Sequence, residues 1–391
     1  MRYFVIAGEA SGDLHARHLM SSIARLDGEA EIRYWYRPDL AFMGIEPVLS
    51  HLRKILRGER DCKASIEAFR PDRLVLVDYP GFNLRMAKWF KRNYRHFAPA
   101  LDEMGEVVET DPSYAPEVHY YIAPKLWAWK EYRIREVKCY VDRMLSILPF
   151  EVEWFGERHG YRVDYVGNPT AYEVRGYLGS LGTSCKEQDD RVIALLPGSR
   201  MQEVVGNLPR MLKALDVVPH EYSFVIAAAP SIERRVYEGI VESIGDATLR
   251  ERISIAQSSG GDAQSTFRLL MRAEAALVTS GTATLETALI GVPQVVCYWM
   301  RWGWLMNILR RILIKTKYVS LVNLICGREV VPELIAGGMK VEDVRRQLKD
   351  ILPGGKGREA QIQGYAELWK KLGDASAPEK AAEIIASVVV V

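Results

Sequence analysis

Small hydroxylated residues follow an apolar run near residue 280, and they are the first candidates for chemistry in this chain. Residues 275–278 lead into Thr279-Ser280-Gly281-Thr282, a pattern typical of a buried strand that turns into a helix. At such a turn, free backbone N–H groups and the positive end of the helix dipole bind anions. Glu286 lies six residues after Ser280, on the second turn of the predicted helix, where a carboxylate can accept both hydroxyls of a ribose.

A second turn of this kind lies upstream. The apolar residues 192–196 run into Pro197-Gly198-Ser199-Arg200, which adds a guanidinium whose planar fork suits a phosphate. Two phosphate-type turns in one half of the chain predict a nucleoside diphosphate ligand. Its candidate contacts are Gly198, Ser199, Arg200, Ser280, Gly281, Thr282 and Glu286.

The loop after the first predicted strand is rich in small residues. It reads Ala-Gly-Glu-Ala-Ser-Gly-Asp-Leu-His over residues 7–15, and its glycines are too far apart for a dinucleotide-binding fingerprint. Such a loop lets the backbone approach a ligand, with Glu9, Ser11, Gly12 and Asp13 as candidate contacts. The alternative is a tight strand-to-helix turn in which Ser11 or Asp13 is the N-cap residue.

Asp78 is the candidate general base. It follows the apolar residues 74–77, at the carboxyl end of a predicted buried strand, where open α/β sheets place their ligand crevices. A carboxylate there could remove the proton from an attacking hydroxyl. The alternative is that Asp78 caps the next helix or binds the amide of Asn83.

The composition and the absence of certain motifs argue against several classes of function. The net charge of +2 argues against nucleic acid as a main partner. No cluster of His, Cys or carboxylate residues has metal-ligand spacing, so neither a metal nor another cofactor is expected. The sequence has no P-loop and no Gly-x-Ser-x-Gly elbow. The five scattered cysteines indicate reduced thiols in the cytosol, and neither a signal peptide nor a membrane span is predicted.

The apolar runs are continuous rather than alternating, which is typical of parallel strands covered on both faces, and helical patterns separate them. We therefore predict an α/β protein with two Rossmann-like domains, parallel sheets and a ligand cleft between the domains. The predicted domains are residues 1–167, completed by C-terminal helices within 361–391, and residues 168–360. Strands are predicted at 3–7, 74–77, 119–122, 145–148, 193–196, 224–228, 275–278 and 294–298.

Two stretches combine apolar residues with cations and are candidate membrane-binding segments. In the first, Val48, Leu49, Leu52, Ile55 and Leu56 share one helical face flanked by basic residues. The second, residues 298–318, contains Trp302 and Trp304 and has no acidic residue. Such compositions suit an anionic bilayer surface or an acidic lipid. The alternative is an ordinary amphipathic helix that packs on a sheet.

Several motifs, in order along the chain, resemble those of the lipid-A-disaccharide synthases. In the first half these are the loops 7–15 and 78–83, Pro124-Lys125-Leu126-Trp127-Ala128-Trp129-Lys130, and Leu148-Pro149-Phe150-Glu151. In the second half they are residues 195–200, 280–286 and 323–334. The Trp-Ala-Trp-Lys and Ser-Gly-Thr-Ala-Thr-Leu-Glu blocks are the most diagnostic.

The resemblance implies a GT-B fold and an inverting glycosyltransferase of Gram-negative outer-membrane biogenesis. It implies that UDP-2,3-diacylglucosamine and 2,3-diacylglucosamine 1-phosphate are condensed to a β-1′,6-linked disaccharide 1-phosphate and UDP. Asp78 would be the base and Arg200 would stabilise the leaving diphosphate. The donor would bind the C-terminal domain, while the loop from Glu9 to Asp13 and the stripe from Val48 to Leu56 would serve the acylated acceptor. The protein would be cytoplasmic and peripheral to the inner membrane; the sequence leaves open whether it forms a homodimer.

The chain departs from the family pattern at three places. Residues 27–40 are short and lack a Gly-Gly turn, residues 93–116 resemble an insertion, and Ala336 stands where Gln is common. Two other functions stay open. One is an isomerase similar to UDP-N-acetylglucosamine 2-epimerases, whose soluble substrate would leave the apolar stripe without a use. The other is a descendant that binds nucleotide or lipid without catalysis.

Overall fold

Two parallel β-sheets organise the molecule. The structure, a computed structural model, describes residues 1–8, 10–37, 52–94, 100–101, 107–108, 116–181, 191–257, 263–279, 281–299, 317–335 and 339–387. The chain divides into two units: Met1–Pro169 with Asp374–Val391, and Thr170–Gly373. The prediction of two parallel-sheet, Rossmann-like domains in the α/β class is confirmed, and the cleft between them stays a prediction.

In the first unit, the described strands form a six-stranded parallel sheet with the order β2-β1-β3-β6-β7-β8, beside a short antiparallel pair, β4-β5. The strands are β1 Arg2–Ala7, β2 Glu31–Tyr36, β3 Arg73–Val77, β4 Ala100–Leu101, β5 Val107–Val108, β6 Glu117–Tyr121, β7 Arg143–Ser146 and β8 Asp164–Tyr165. The described helices before Pro169 are α1 Ala10–Leu26, α2 Leu52–Phe69, α3 Pro80–Asn93, α4 Ile134–Tyr140 and α5 Pro149–His159.

The central strands of this sheet are apolar because both of their faces are covered. Every residue of β3 is buried, and only Arg2 of β1 is partly accessible. β2 is an edge strand of alternating exposure, with charged side chains at Glu31 and Arg33. The strand order reverses between β1 and β3, which is where doubly wound sheets open a ligand crevice beyond the carboxyl ends.

The second unit repeats this arrangement, with the strand order β11-β10-β9-β12-β13-β14 and a reversal between β9 and β12. The strands are β9 Val192–Leu196, β10 Ser223–Ala228, β11 Ile253–Gln257, β12 Ala273–Val278, β13 Gln294–Tyr298 and β14 Glu333–Ile335. The described helices are α6 Pro169–Ser180, α7 Met201–Lys213, α8 Arg234–Glu242, α9 Ala247–Glu251, α10 Ala263–Arg272, α11 Thr282–Ile290, α12 Leu321–Cys326, α13 Val341–Ile351 and α14 Lys356–Leu372.

The two C-terminal helices belong to different units. The sequence had instead predicted that helices within residues 361–391 complete the first domain. α14 belongs to the second unit because Gln361 exchanges two hydrogen bonds with the backbone of Gln294, at 2.8 and 3.1 Å, and Tyr365 binds the carbonyl of Val292. Ile362, next to Gln361 on this helix, is exposed. Only the last helix, α15 Ala377–Ala386, packs on α1 in the first unit.

All eight predicted strands are present, each within three residues of its predicted ends. Six of the described strands were not predicted, because they are short or lie at the edges of the sheets: β2, β4, β5, β8, β11 and β14. None of the described helices is both long and apolar enough to cross a bilayer. Of the cysteines, those the structure describes, Cys62, Cys139, Cys297 and Cys326, are free.

Candidate active site

In the second unit, the two predicted phosphate-type turns lie side by side. They follow β9 and β12, the neighbouring strands at which the strand order reverses. The backbone N–H of Thr279 donates to the carbonyl oxygen of Leu196 at 2.8 Å, so the turns leave the sheet together. The structure thus brings together two segments about 80 residues apart in sequence.

The first of these turns is held by Glu203. Gly198 has φ of 118°, a conformation that favours glycine, and a Cβ there would lie 2.5 Å from the Glu203 carboxylate. That carboxylate accepts hydrogen bonds from the backbone N–H groups of Ser199 at 3.1 Å and Arg200 at 3.3 Å. The sequence had predicted that these amides are free to bind phosphate; instead, the third residue of α7 satisfies them, as in a capping box.

Arg200 lies at the surface of this turn. Its side chain is 61% exposed, and its guanidinium lies 3.5 Å from Glu203 at the start of α7. A weak, exposed ion pair of this kind can be exchanged for a phosphate at little cost. The anion-binding capacity of this turn therefore rests mainly on the Arg200 guanidinium and on the amides within the first turn of α7.

The second turn leads through Gly281 into α11. Gly281 is the N-cap residue, with φ of 106°, and the space where a Cβ would lie is open. Thr282 begins the helix and is exposed, while Ser280 lies outside the described residues. The hydroxyl of Thr279 is buried and has no partner among the described residues. An open glycine turn at a helix N-terminus, at the switch point of the sheet, is suited to an anionic group.

Glu286 lies on the second turn of α11, as predicted, and is partly buried. Burial raises the pKa of its carboxyl group to about 7, and the nearby Glu173 carboxylate also raises it. An ordinary glutamate titrates near pH 4.5, so this side chain changes its charge close to neutral pH. Perturbed carboxyl groups of this kind are common at binding sites.

In the first unit, Asp78 directly follows β3, at the strand reversal. It has φ of 47°, and Tyr79, the N-cap residue of α3, has φ of 48°. Two consecutive non-glycine residues in the left-handed region indicate a constrained turn, of the kind found at functional sites. The carbonyl oxygen of Asp78 accepts hydrogen bonds from the Tyr120 hydroxyl and, at 2.7 Å, from the Asn83 amide.

This geometry argues against the alternative interpretation of Asp78 as a helix cap or a partner of the Asn83 amide, and its role as the base stays a prediction. The Asn83 amide binds the main-chain carbonyl rather than the carboxylate, and Tyr79 holds the cap position of α3. Burial raises the pKa of the Asp78 carboxyl group, while the charge of Lys125 and a hydrogen bond from the Tyr79 backbone N–H oppose the rise. A carboxylate with a raised pKa is a better proton acceptor than an exposed aspartate.

The loop after β1 lies next to the Asp78 turn. A Cβ on Gly8 would lie 2.2 Å from the Tyr79 ring, so this ring covers the glycine, and Gly12 is close to the carbonyl of Val77. α1 begins at Ala10, so Ser11 and Asp13 lie inside its first turn and neither is the N-cap residue. The Asp13 carboxylate accepts hydrogen bonds from Tyr34 and Arg17, at 2.6 and 2.9 Å. Glu9 lies outside the described residues.

A buried carboxyl group that was not singled out for chemistry lies at the same edge of the sheet. Glu151, on the first turn of α5, is 1% exposed and accepts hydrogen bonds from the Trp127 indole N–H at 2.7 Å and from the Ser146 hydroxyl. These bonds join two of the motifs on which the family resemblance rests. The signal was available in the sequence, because Glu151 closely follows a strand at the edge where Asp78 lies.

A second buried network organises the segment from α12 to β14. The Glu333 carboxylate accepts hydrogen bonds from the Ser320 hydroxyl at 2.7 Å and the Asn323 amide at 2.8 Å. The Asn323 side-chain oxygen accepts two backbone N–H groups, from Val330 and Val331. The motif at 323–334 therefore has a structural role in this unit.

The candidate membrane-binding residues are only partly described. Leu56, on α2, is 48% exposed, which leaves it free for an apolar partner. Val48, Leu49, Trp302 and Trp304 lie outside the described residues, as do the side chains of Leu52 and Ile55. Trp299, at the start of the second stretch, packs against the core of the second unit, and the Arg210 guanidinium lies 3.7 Å from its ring centre.

Two Rossmann-like units, each with its candidate residues at a strand reversal, define the GT-B class. Solved structures of this class align over nearly the whole chain. A UDP-GlcNAc 2-epimerase from Neisseria meningitidis, bound to UDP-GlcNAc, matches with a TM-score of 0.60 at 10% identity, covering 98% of both chains. A spinosyn rhamnosyltransferase complexed with thymidine diphosphate matches with a TM-score of 0.56 at 14% identity, covering 98% of this chain and 99% of its own. At these identities the likeness shows the fold alone.

The chain belongs to the lipid-A-disaccharide synthetase family of glycosyltransferases. The family model matches residues 3–98 and 112–388, and its gap lies inside the predicted insertion at 93–116. The lipid-A-disaccharide synthase of Myxococcus xanthus is 33% identical over 407 residues, covering 98% of this chain and 96% of the relative. That of Acidobacterium capsulatum is 33% identical over 395 residues, covering 94% and 91%. The epimerase alternative therefore loses its support, because the epimerases share only the fold.

Proposed function

We propose that this protein transfers a 2,3-diacylglucosamine residue from UDP to the 6-hydroxyl group of 2,3-diacylglucosamine 1-phosphate. The products are the β-1′,6-linked disaccharide 1-phosphate and UDP. Family membership supports this reaction, since two relatives of nearly equal length carry the name lipid-A-disaccharide synthase. The single structural observation that carries the mechanism is the constrained turn at Asp78, at the strand reversal of the first unit.

Asp78 acts as the general base in a single displacement. Its carboxylate takes the proton of the acceptor hydroxyl while the hydroxyl oxygen attacks the anomeric carbon of the donor, and the bond from that carbon to the β-phosphate oxygen breaks. One displacement inverts the anomeric configuration, so one ionised carboxylate is enough. The hydrogen bonds from Tyr120 and Asn83 to the Asp78 carbonyl support this role, because they fix the backbone that carries the base.

The second unit binds the nucleotide part of the donor. Arg200 and the N-termini of α7 and α11 stabilise the negative charge that develops on the departing UDP. Glu286, in its ionised form, accepts the ribose hydroxyls. The adjacency of the two turns, through the Thr279–Leu196 hydrogen bond, supports a single diphosphate contacted by both. That the reaction requires no metal stays a prediction.

We infer that the protein works at the cytoplasmic surface of the inner membrane, since both proposed substrates carry acyl chains. Two stretches rich in apolar residues and cations, around residues 48–56 and 298–318, support contact with anionic lipid. The exposed Leu56 on α2 supports the same assignment. This association is peripheral, and it should weaken as ionic strength rises, because salt screens the attraction between the cations and the head groups.

The test is incubation of the purified protein with both diacylated sugars, followed by measurement of UDP release and of the disaccharide by mass spectrometry. We expect stoichiometric UDP and disaccharide. UDP release in the absence of the acceptor would indicate hydrolysis rather than transfer. Binding of UDP without any product would support a non-catalytic descendant and would contradict the proposal.

A further inference from the structure

Three neighbouring strand ends of the first sheet are joined directly by hydrogen bonds. The backbone N–H of Asp78, after β3, donates to the carbonyl of Tyr121, the last residue of β6, at 3.0 Å. The N–H groups of Ile122 and Ala123 donate to the carbonyl of Leu145, in β7, at 3.0 and 3.2 Å. Because neighbouring strands lie about 4.8 Å apart, the segments that follow these strands share one small region beyond the sheet edge.

Glu151 connects two of these segments. Its carboxyl group accepts the indole N–H of Trp127, from the segment after β6, and the hydroxyl of Ser146, the last residue of β7. The Ser146 hydroxyl also lies 3.0 Å from the carbonyl of Leu148 and 2.9 Å from its N–H group. The cluster thus fixes the segment that carries Lys125, which acts electrostatically on Asp78 and Glu151.

A carboxyl group in this position is more than a packing element. Burial raises the pKa of Glu151 to about 7, hydrogen bonds from Ser146 and Trp127 and the charge of Lys125 oppose the rise, and the charge of Asp78 adds to it. Lys125 and Asp78 are the charged groups that face it from the neighbouring segments. A purely structural buried site would be served equally well by glutamine, which accepts the same indole hydrogen bond without titrating.

We propose that Glu151 is a positioning residue for the transfer reaction, which holds the segment from Pro124 to Trp129 through Trp127 and tunes the basicity of Asp78 through its own charge. This inference rests on the proposed role of Asp78 as the base. When Glu151 ionises, its negative charge disfavours a second anion nearby, so Asp78 binds a proton more tightly and becomes a stronger base. The two carboxyl groups titrate as a coupled pair.

The test is the pH dependence of kcat, from pH 5 to 9, for the unchanged protein and for Glu151→Gln. The unchanged protein should show an inflection near pH 7 in addition to the limb at lower pH due to Asp78. Glu151→Gln keeps the hydrogen bond from Trp127 but cannot ionise, so this inflection should disappear. At pH 8 the kcat of Glu151→Gln should be about threefold lower than that of the unchanged protein. This factor corresponds to a fall of about one unit in the pKa of Asp78, of which about half affects the free energy of the transition state.

A second variant tests the direction of the effect. Trp127→Phe removes a donor that stabilises the ionised carboxylate, so the inflection should move to higher pH. Glu153→Gln, at an exposed position on the same helix, should leave the profile unchanged. A shift with Trp127→Phe supports the inference even if Glu151→Gln fails to fold.

The outcomes separate this inference from the proposed function. If the unchanged protein forms no disaccharide at any pH, the proposed function is contradicted. If it forms disaccharide and Glu151→Gln lowers the rate by the same factor at every pH, the carboxyl group is structural and the inference is overturned, while the proposed function stands. An unmoved inflection in Trp127→Phe would overturn it in the same way.

Discussion

The hydroxyl group of Tyr120 donates a hydrogen bond to the main-chain carbonyl of Asp78, not to its carboxylate. The amide of Asn83 binds the same carbonyl at 2.7 Å. The turn is therefore held mainly through the main-chain carbonyl, and the carboxylate accepts one further hydrogen bond, from the Tyr79 backbone N–H group. Asn keeps a side-chain oxygen that can accept this hydrogen bond, so the variant Asp78→Asn reports on catalysis rather than on folding.

Replacement of Asp78 by Asn should lower kcat by about 10²–10⁴-fold, because the amide cannot accept the acceptor's proton. The dissociation constant for UDP should stay within about twofold, since the nucleotide residues lie in the other unit. The measurement is disaccharide formation together with isothermal titration of UDP. Asp164→Asn, at the start of β8, is the matched control and should leave the rate unchanged. Activity of Asp78→Asn near the wild-type rate would remove Asp78 as the base.

Replacement of Arg200 by Ala should weaken UDP binding by about tenfold to a hundredfold, which corresponds to the loss of charge-assisted hydrogen bonds of about 1.5–3 kcal/mol. The rate of transfer should also fall, because Arg200 stabilises the departing diphosphate. The thermal stability should change little, since the ion pair between Arg200 and Glu203 is exposed.

The control for Arg200 is Arg234→Ala. Arg234 is also at the start of a helix of the second unit and forms an exposed ion pair with Glu238 at 2.8 Å. Its guanidinium donates to the carbonyl of Ile255, in the edge strand β11, so its replacement should leave UDP affinity unchanged. Equal effects of the two substitutions would indicate a general loss of positive charge rather than a specific contact with the diphosphate.

Replacement of Gly8 by Ala should destabilise the first unit by about 1–3 kcal/mol, the usual cost of overpacking. The new Cβ would lie 2.2 Å from the ring of Tyr79, next to the candidate base. The control is Gly81→Ala, in the first turn of α3, where no atom lies within 4 Å of the added Cβ. We expect urea unfolding to show a loss for the first variant only; equal stability of both would contradict the close contact between Gly8 and Tyr79.

Glu286 gives a prediction for the pH dependence of stability. Its pKa in the folded protein is about 7, above the ordinary value of 4.5, so the folded state binds this proton more tightly than the unfolded chain does. The resulting stabilisation is complete below pH 4.5 and is lost as the pH rises through 7. Glu286→Gln removes the titration. The melting temperature of Glu286→Gln minus that of the unchanged protein should therefore be larger at pH 8 than at pH 5.

The control for this experiment is Glu238→Gln, at an exposed position of α8. Its melting temperature should differ from that of the unchanged protein by the same amount at both pH values. If the difference in melting temperature for Glu286→Gln is also the same at both pH values, the carboxyl group of Glu286 titrates at its ordinary pH. It would then be fully ionised at neutral pH when it contacts the ribose.

The central strands could be predicted because burial on both faces leaves an apolar run in the sequence. β3 and β9 are such runs, and Asp78 and Arg200, in the turns that follow them, were identified by that position together with the chemistry of their side chains. The edge strand β2 could not be predicted in the same way, because its exposure alternates. The sequence therefore indicates the centre of each sheet, where the candidate site lies, better than its margins.

Two side-chain contacts near the candidate sites were not predicted from the sequence, one between residues close in sequence and one between distant motifs. The pattern predicted free amides at Ser199 and Arg200, but the Glu203 carboxylate occupies them, because α7 begins immediately after the turn and brings its third residue back to them. The bond between Trp127 and Glu151 joins motifs 24 residues apart, and neither motif alone indicates it. The pairing of Trp127 with Glu151 depends on which strands are neighbours, and that is a property of the fold.

The packing of α15 on α1 has a consequence for the order in which the two units fold during synthesis. The first unit uses residues from both sides of the second, since Asp374–Val391 belongs to it, whereas Thr170–Gly373 is one uninterrupted stretch. During synthesis on the ribosome, the second unit can close as soon as its own residues have emerged. The apolar face of α1, including Leu19 and Ile23, must wait for the last helix, so translation that stops before residue 377 leaves this face uncovered and prone to chaperone capture.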